Sequence, residues 1–382
     1  MNPFPVIQNI VPPDVIDLGL GNPPLSLLPL DLIRESAQST LAQGDTSFLQ
    51  YGVEQGDGYF RAALATFLTN GYGFPVSPEN LLVTTGISNG LDLLCSYFTK
   101  AGDTIFVEEP SYFLALRIFA DHGLNVVSIE TDEEGLIPAS LEEKLAESRP
   151  RFLYLIPTFQ NPTGHTLTQD RRDQIVKLAE KNDFIIAADE VYQLLNYTNE
   201  KPPKSFGAYI ESEHVVSLGS FSKILAPGLR LGWMQAHANF LKRFVLSGLM
   251  DSGGGLNPFT SAILRGVIES GGLEKNIGRL KSVYRDQIRA MDEALRSHIP
   301  EATYVLPSGG YFFWLKFPES VDLGELRKQA SKYNVDFRQG ALFSSSGGLK
   351  NYMRLCFVMY EADQIEDGVK RLRQCLDQFS SK

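Results

Sequence analysis

Short apolar runs and helix-period segments alternate through the middle of the chain. Leu81-Leu82-Val83 leads into Thr84-Thr85-Gly86, and 91–98 carries the spacing of an amphipathic helix. The pattern then predicts a strand over 104–108, a helix over 112–122 and a strand over 125–130. A short helix near 141–147, a strand over 152–157, a helix over 171–181 and a strand over 184–190 follow, and 214–219 and 231–235 add two short strands. Continuous apolar runs of strand length, separated by helices, predict an α/β fold with a mostly parallel sheet covered on both faces. Beyond a long helical stretch over 274–298, strands at 311–317 and 352–358 flank a helix at 323–333, and a last helix covers 364–379. This tail reads as a smaller α+β domain.

Composition narrows the classes of function. The 382 residues are 43% hydrophobic and 21% charged, ordinary globular usage. Asp and Glu number 45 against 35 Lys and Arg, a formal charge of −10, which argues against a general nucleic-acid binder. Cys95, Cys356 and Cys375 share no close spacing, and no two of His122, His165, His214, His237 and His298 stand at helical metal-ligand spacing, so no metal is expected. Residues 1–17 carry three prolines ahead of Pro13 and no basic cluster, a poor signal peptide. With no apolar stretch of about 18 residues, no membrane association is expected, and the reading is a cytoplasmic protein.

Ligands of an open α/β sheet bind at the carboxyl ends of its strands. Four ends are unusual: Gly86-Ile87-Ser88-Asn89-Gly90, Asn161-Pro162-Thr163-Gly164, Asp189-Glu190-Val191-Tyr192, and Ser220-Phe221-Ser222-Lys223 with Arg230 shortly after. Lys223 alone reads equally as a surface lysine. Beside Ser220, Ser222 and Arg230, which suit an anion, it suits an amine that attacks a phosphorylated aldehyde. The 86–90 turn at a helix start offers N–H groups to the same anion. Asp189, at the end of Phe184-Ile185-Ile186-Ala187-Ala188, is either a cap or loop-arginine partner, or the partner of a protonated pyridine nitrogen. Tyr192 and Asn161 are candidates for that ring's phenolic oxygen.

In combination these motifs resemble the fold type I pyridoxal-phosphate aminotransferases, in the branch with 2-aminoadipate and kynurenine aminotransferases and the aminotransferase-like domain of certain transcription regulators. The likeness runs from Leu18-Gly19-Leu20-Gly21 to Tyr352-Met353-Arg354-Leu355. It implies pyridoxal 5'-phosphate as cofactor, with Lys223 bonded to its aldehyde, Asp189 on the pyridine nitrogen, and Asn161 and Tyr192 on the phenolic oxygen. Tyr112 resembles the aromatic residue stacked on the ring, and Ile87, Ser88, Ser220 and Arg230 the phosphate site. Arg354 resembles the arginine for the substrate α-carboxylate, and Gly21 a glycine lying over the substrate. Tyr51 resembles a tyrosine that reaches a neighbouring subunit's site, which implies a homodimer. The implied division is 1–44 as an N-terminal segment packing with the small domain and active site, 45–280 as the large cofactor-binding domain and 281–382 as the small domain.

The implied activity is amino transfer between an L-amino acid (aromatic, long aliphatic or aminoadipate-like) and a 2-oxo acid. A carbon–sulfur β-lyase on the same fold is the alternative. A cofactor-sensing regulator is the weaker one, because only 20 residues precede Gly21, too few for a DNA-binding domain. Leu25-Ser26-Leu27-Leu28 and Gly310-Tyr311-Phe312-Phe313-Trp314 are expected to line the side-chain pocket in part. Two features depart from the family pattern. Ile87 stands where relatives carry polar side chains, and Gly253-Gly254-Gly255 predicts a mobile or closely approached segment.

Overall fold

The computed structural model describes residues 6–380. Residues 1–5 of the expected N-terminal segment lie outside the described residues. Eight strands form one sheet in the spatial order Leu81–Thr84, Gly232–Ala236, Val215–Ser220, Ile185–Asp189, Phe152–Leu155, Thr104–Glu109, Asn125–Asp132, Gly135–Leu136. The five from Val215–Ser220 to Asn125–Asp132 are parallel, whereas Gly232–Ala236 runs antiparallel to both of its neighbours. The expected mostly parallel α/β sheet is therefore present.

Alternation along each strand sorts side chains onto two faces. Val107, Tyr154, Ala187 and Leu218 join one core cluster, while Phe106, Leu153, Leu155, Ile186 and Ala188 join the other. Covering helices bury matching stripes: Ile87–Phe98 turns Leu91, Leu94 and Cys95 inward, and Gln169–Asn182 turns Ile175, Leu178 and Ala179 inward. The helix expected over 112–122 starts one residue later, as Phe113–Asp121, with Tyr112 as its N-cap.

A second sheet pairs Phe312–Lys316, Tyr352–Cys356 and Arg338–Gln339, covered by Leu323–Ala330 and Ala362–Ser380. The register sets Trp314 and Arg338 opposite Arg354. Ile16–Asp17 pairs in parallel with Val335–Asp336 as a separate two-stranded sheet, next in the chain to the Arg338–Gln339 strand of the second sheet. The 27-residue helix Gly272–His298 runs unbroken across position 280/281. No helix among the described residues is long and apolar enough to cross a membrane.

Candidate active site

The carboxyl ends of the parallel strands open into a cavity of about 430 Å³. Gly21, Ile87, Ser88, Tyr112, Asn161, Asp189, Tyr192, Ser220, Lys223, Arg230 and Arg354 all line it. A wider groove of about 1060 Å³ lies at the opposite strand ends, beside Thr104 and Ile185, and holds none of these residues.

Lys223 sits in the turn after Val215–Ser220, partly buried, with its Nζ donating to the Gly21 carbonyl at 2.6 Å. A Cβ on Gly21 would stand 2.8 Å from the Phe312 ring, so only glycine brings this carbonyl so close. The Tyr311 hydroxyl holds the Lys223 carbonyl at 3.1 Å. Desolvation pushes the Lys223 amine down to about 8; nearby Arg354 adds to the fall, while Cys356 and Asp189 oppose it.

Asp189 ends its strand inside the core. Burial pushes its carboxyl up to about 6, against hydrogen bonds from the Tyr154 hydroxyl at 3.0 Å and the Val191 N–H at 3.3 Å. It is ionised at neutral pH and ready for a cationic partner. Tyr154 was not anticipated as a site residue. The available signal was a hydroxyl in an otherwise apolar buried strand, since such a group requires a partner.

The opposite end of the cavity is built for an anion. Gly86, at a φ of +96°, precedes the helix Ile87–Phe98, whose first turn receives no side-chain cap. Its N–H groups therefore remain donors beside the cavity that Ile87 and Ser88 line. A Cβ on Gly86 would stand 3.0 Å from Arg230 Nη2. The Arg230 guanidinium is held by the carbonyls of Thr85 at 3.0 Å and Pro227 at 3.1 Å. The Ser220 and Ser222 hydroxyls lie 2.9 Å apart beside it.

Arg354 is buried on the second sheet, 4.0 Å from the Phe312 ring centre and 5.0 Å from that of Phe343. Its Nη1 donates to Asn161 Oδ1 at 2.8 Å and its Nη2 to the Gly19 carbonyl at 2.6 Å. Its Nε is buried with no partner among the described residues. Because Asn161 Oδ1 is taken, the Asn161 amide N–H₂ is the donor left for the cavity. Burial pushes the Tyr112 phenol up to about 12 and raises that of Tyr192 as well, so both remain protonated. Arg338 also lines the cavity, neutralised by Asp17 at 3.2 Å and Asp336 at 3.0 Å.

One expectation, the lining of the side-chain pocket, changes. Leu25 is 68% exposed and outside the cavity lining, and of the stretch 310–314 only Phe312 reaches it. Leu20, Phe113 and Leu114 supply apolar wall instead. Tyr51 is 80% exposed and does not line this chain's own cavity. The glycine run is closely approached: a Cβ on Gly254 would meet the Gly52 carbonyl at 2.3 Å, and one on Gly255 the Val53 carbonyl at 1.9 Å.

A family model for aminotransferase class I and II matches residues 13–372. The chain belongs to this family. It is 35% identical to aromatic-amino-acid aminotransferase 1 of Thermococcus litoralis, a match covering 97% of this chain and 89% of that protein. It is 32% identical to the 2-aminoadipate transaminase of Thermus thermophilus, over 95% of this chain and 90% of that one. A crystal structure of Pyrococcus horikoshii kynurenine aminotransferase in complex with PMP superposes with a TM-score of 0.89 at 33% identity, covering 96% of this chain and 91% of that one. The residues of this aminotransferase fit pyridoxal 5'-phosphate: an N–H-, Ser- and Arg-lined anion cradle, an amine, a buried carboxylate and a free amide donor converge on one cavity.

Proposed function

We propose that this aminotransferase moves an amino group from an L-amino acid with an aromatic, long aliphatic or aminoadipate-like side chain to a 2-oxo acid, using pyridoxal 5'-phosphate. The observation that carries the reading is the convergence of Lys223, Asp189 and Arg354, from two different sheets, on one cavity. When bound, the cofactor supplies an aldehyde that takes up the amino group and a ring that draws negative charge from the α-carbon.

The chain's own residues then have distinct tasks. Ile87 and Ser88 offer backbone N–H groups to the phosphate, with Ser220 and Arg230 beside them. Asp189 keeps the ring nitrogen protonated, Asn161 and Tyr192 donate to the phenolic oxygen, and Tyr112 covers the ring face. Arg354 holds the substrate α-carboxylate with its guanidinium N–H groups, the unpartnered Nε among them, while Asn161 orients that guanidinium. Lys223 Nζ, its pKa depressed by burial, would take the proton from the α-carbon and return it to the carbon on the other side of the transferred nitrogen. The Gly21 carbonyl holds that amine when it is not bonded to the cofactor.

A homodimer with shared sites is part of the proposal. Leu49, Tyr51 and Val53 are exposed, as are Leu246, which is 81% exposed, and Leu249. The contacts of Gly52 and Val53 with Gly254 and Gly255 bring these two segments together as one apolar surface. Pairing of Ile16–Asp17 with Val335–Asp336 supports 1–44 as an N-terminal segment that packs with the small domain 281–382 and the active site, with 45–280 as the large domain. A cytoplasmic location goes with this reading.

The test is a panel of amino donors with 2-oxoglutarate, pyruvate and phenylpyruvate as acceptors. Stoichiometric formation of a new amino acid and a new 2-oxo acid is expected. Ammonia and pyruvate released from cystathionine without any acceptor would make the enzyme a carbon–sulfur lyase instead.

A further inference from the structure

Two cofactor-contacting residues of the proposed site, Tyr112 and Asn161, sit on different turns that leave neighbouring strands. The strands Thr104–Glu109 and Phe152–Leu155 pair through Phe106 with Leu153 and Val107 with Tyr154. Beyond Val107 the ladder ends, and side chains take over its role. Glu108 Oε2 accepts the Ile156 N–H at 2.8 Å and the Gln160 amide at 3.3 Å. Gln160 Nε2 also donates to the Pro110 carbonyl at 2.7 Å, two residues before Tyr112. Gln160 Oε1 accepts both the N–H and the hydroxyl of Thr163, each at 2.9 Å. The Gln160 backbone closes its own turn, donating to His165 at 2.9 Å and accepting from Gly164 at 2.7 Å.

Gln160 is 4% exposed and Glu108 1%. Both donors and both acceptor positions of the Gln160 amide are in use, and the opposite orientation would set its oxygen against two oxygens and its N–H₂ against an N–H. A fully satisfied buried polar network fixes one arrangement where an apolar contact would allow several. We infer that Gln160, seated on Glu108, is a positioning residue that sets Asn161 relative to Tyr112, and through them the hold on the cofactor's phenolic oxygen and on Arg354. The inference rests on the proposed cofactor role of Tyr112 and Asn161. Asn161 follows Gln160 in the chain and bonds Arg354, so a displaced turn reaches both ligands at once.

The test compares the wild-type enzyme with Gln160→Met, which keeps the length and removes the hydrogen bonds, and with Glu108→Gln, which keeps an acceptor for both N–H groups. Three readouts are taken: equilibrium binding of pyridoxal phosphate to the apo-enzyme, the spectrophotometric titration of the bound cofactor's visible band, and KM for the amino donor. For Gln160→Met the expectation is a rise of about tenfold in the cofactor dissociation constant, the loss of roughly one hydrogen bond's worth. The band's titration midpoint should rise, because a weaker donor at the phenolic oxygen favours the protonated form, and KM should rise with it. Glu108→Gln should stay within about threefold of wild type in all three. If Gln160→Met does not fold, Gln160→Asn carries the test, since it lacks the methylene needed to reach Pro110 and Thr163 together. Lower thermal stability with unchanged midpoint and KM would overturn the inference, as would Glu108→Gln matching Gln160→Met. Failure of the wild type to bind pyridoxal phosphate would instead overturn the proposed function.

Discussion

The glycine run at 253–255 offers a test in which positions two residues apart respond very differently. Gly253 is the last residue of the helix Gly248–Gly253, and a Cβ there meets nothing within 4 Å. Gly255 has a φ of +51°, and its Cβ would stand 1.9 Å from the Val53 carbonyl oxygen, which already accepts the Gly56 N–H at 2.7 Å. The obstacle is backbone, so no rotamer change relieves it. Left-handed backbone costs an alanine roughly 1–2 kcal/mol, and overpacking of this kind adds about 1–3 kcal/mol. Gly255→Ala should therefore lose about 2–5 kcal/mol. Gly253→Ala, in ordinary helical space, should stay within about 1 kcal/mol or gain slightly. With an unfolding entropy of about 2.1 cal/mol/K per residue, the first change lowers Tm by about 3–6 °C and the second leaves it nearly fixed. The readout is scanning calorimetry of both variants at equal protein concentration. Gly255→Ala should also weaken self-association, because the 52–56 segment it displaces carries on from Tyr51. Equal shifts in the two variants would refute the close-approach account.

Three further predictions concern the site. Covalent capture of pyridoxal phosphate by the apo-enzyme needs the free amine of Lys223, which burial brings down to about 8. As pH rises the free-amine fraction rises, so the capture rate followed by stopped-flow absorbance should climb below pH 8 and level above about pH 9; a climb continuing toward ordinary lysine values would contradict a desolvated amine. Tyr154→Phe removes a hydrogen bond to a carboxylate, about 1.5–3 kcal/mol, so Asp189 moves from about 6 toward neutrality. The acidic limb of the kcat/KM profile should shift up by about one to two units, and an unmoved limb would show that Tyr154 does not act through Asp189. Arg354→Lys exchanges a two-pronged contact for a point charge, and KM for the amino donor should rise at least about tenfold while cofactor binding holds; an unchanged KM would exclude Arg354 from carboxylate binding.

Much of the fold was readable because the parallel strands are buried on both faces and so stand out as continuous apolar runs. The reversed direction of Gly232–Ala236 was not readable, since a short buried run carries no mark of pairing direction. The helix Leu30–Ala42 escaped because its buried face is polar: Ser36 and Thr40 are its buried residues, and the Ser36 hydroxyl bonds the Ile263 carbonyl. The helix Gly58–Tyr72 carries its bounds in the sequence, with Asp57 as a cap bonded to the Phe60 N–H and Gly73 in left-handed backbone at its end. Lys223, Asp189 and Asn161 stood out as candidates because strand ends expose chemistry-bearing residue types, whereas Arg354, in the middle of Tyr352–Cys356, was named by the family resemblance alone. Tyr154 and Gln160 were not legible, because their partners lie 35 and 50 residues away and meet only when neighbouring strands pair.

The central claim is that Lys223 is the amine that bonds the cofactor. Its most direct test is to load the enzyme with pyridoxal phosphate, reduce it with borohydride, digest it and locate the phosphopyridoxyl group by mass spectrometry. The account predicts the modification on the peptide carrying Lys223, and its loss together with the visible band in Lys223→Ala. Stoichiometric labelling of a different lysine, or a visible band that persists in Lys223→Ala, would contradict it.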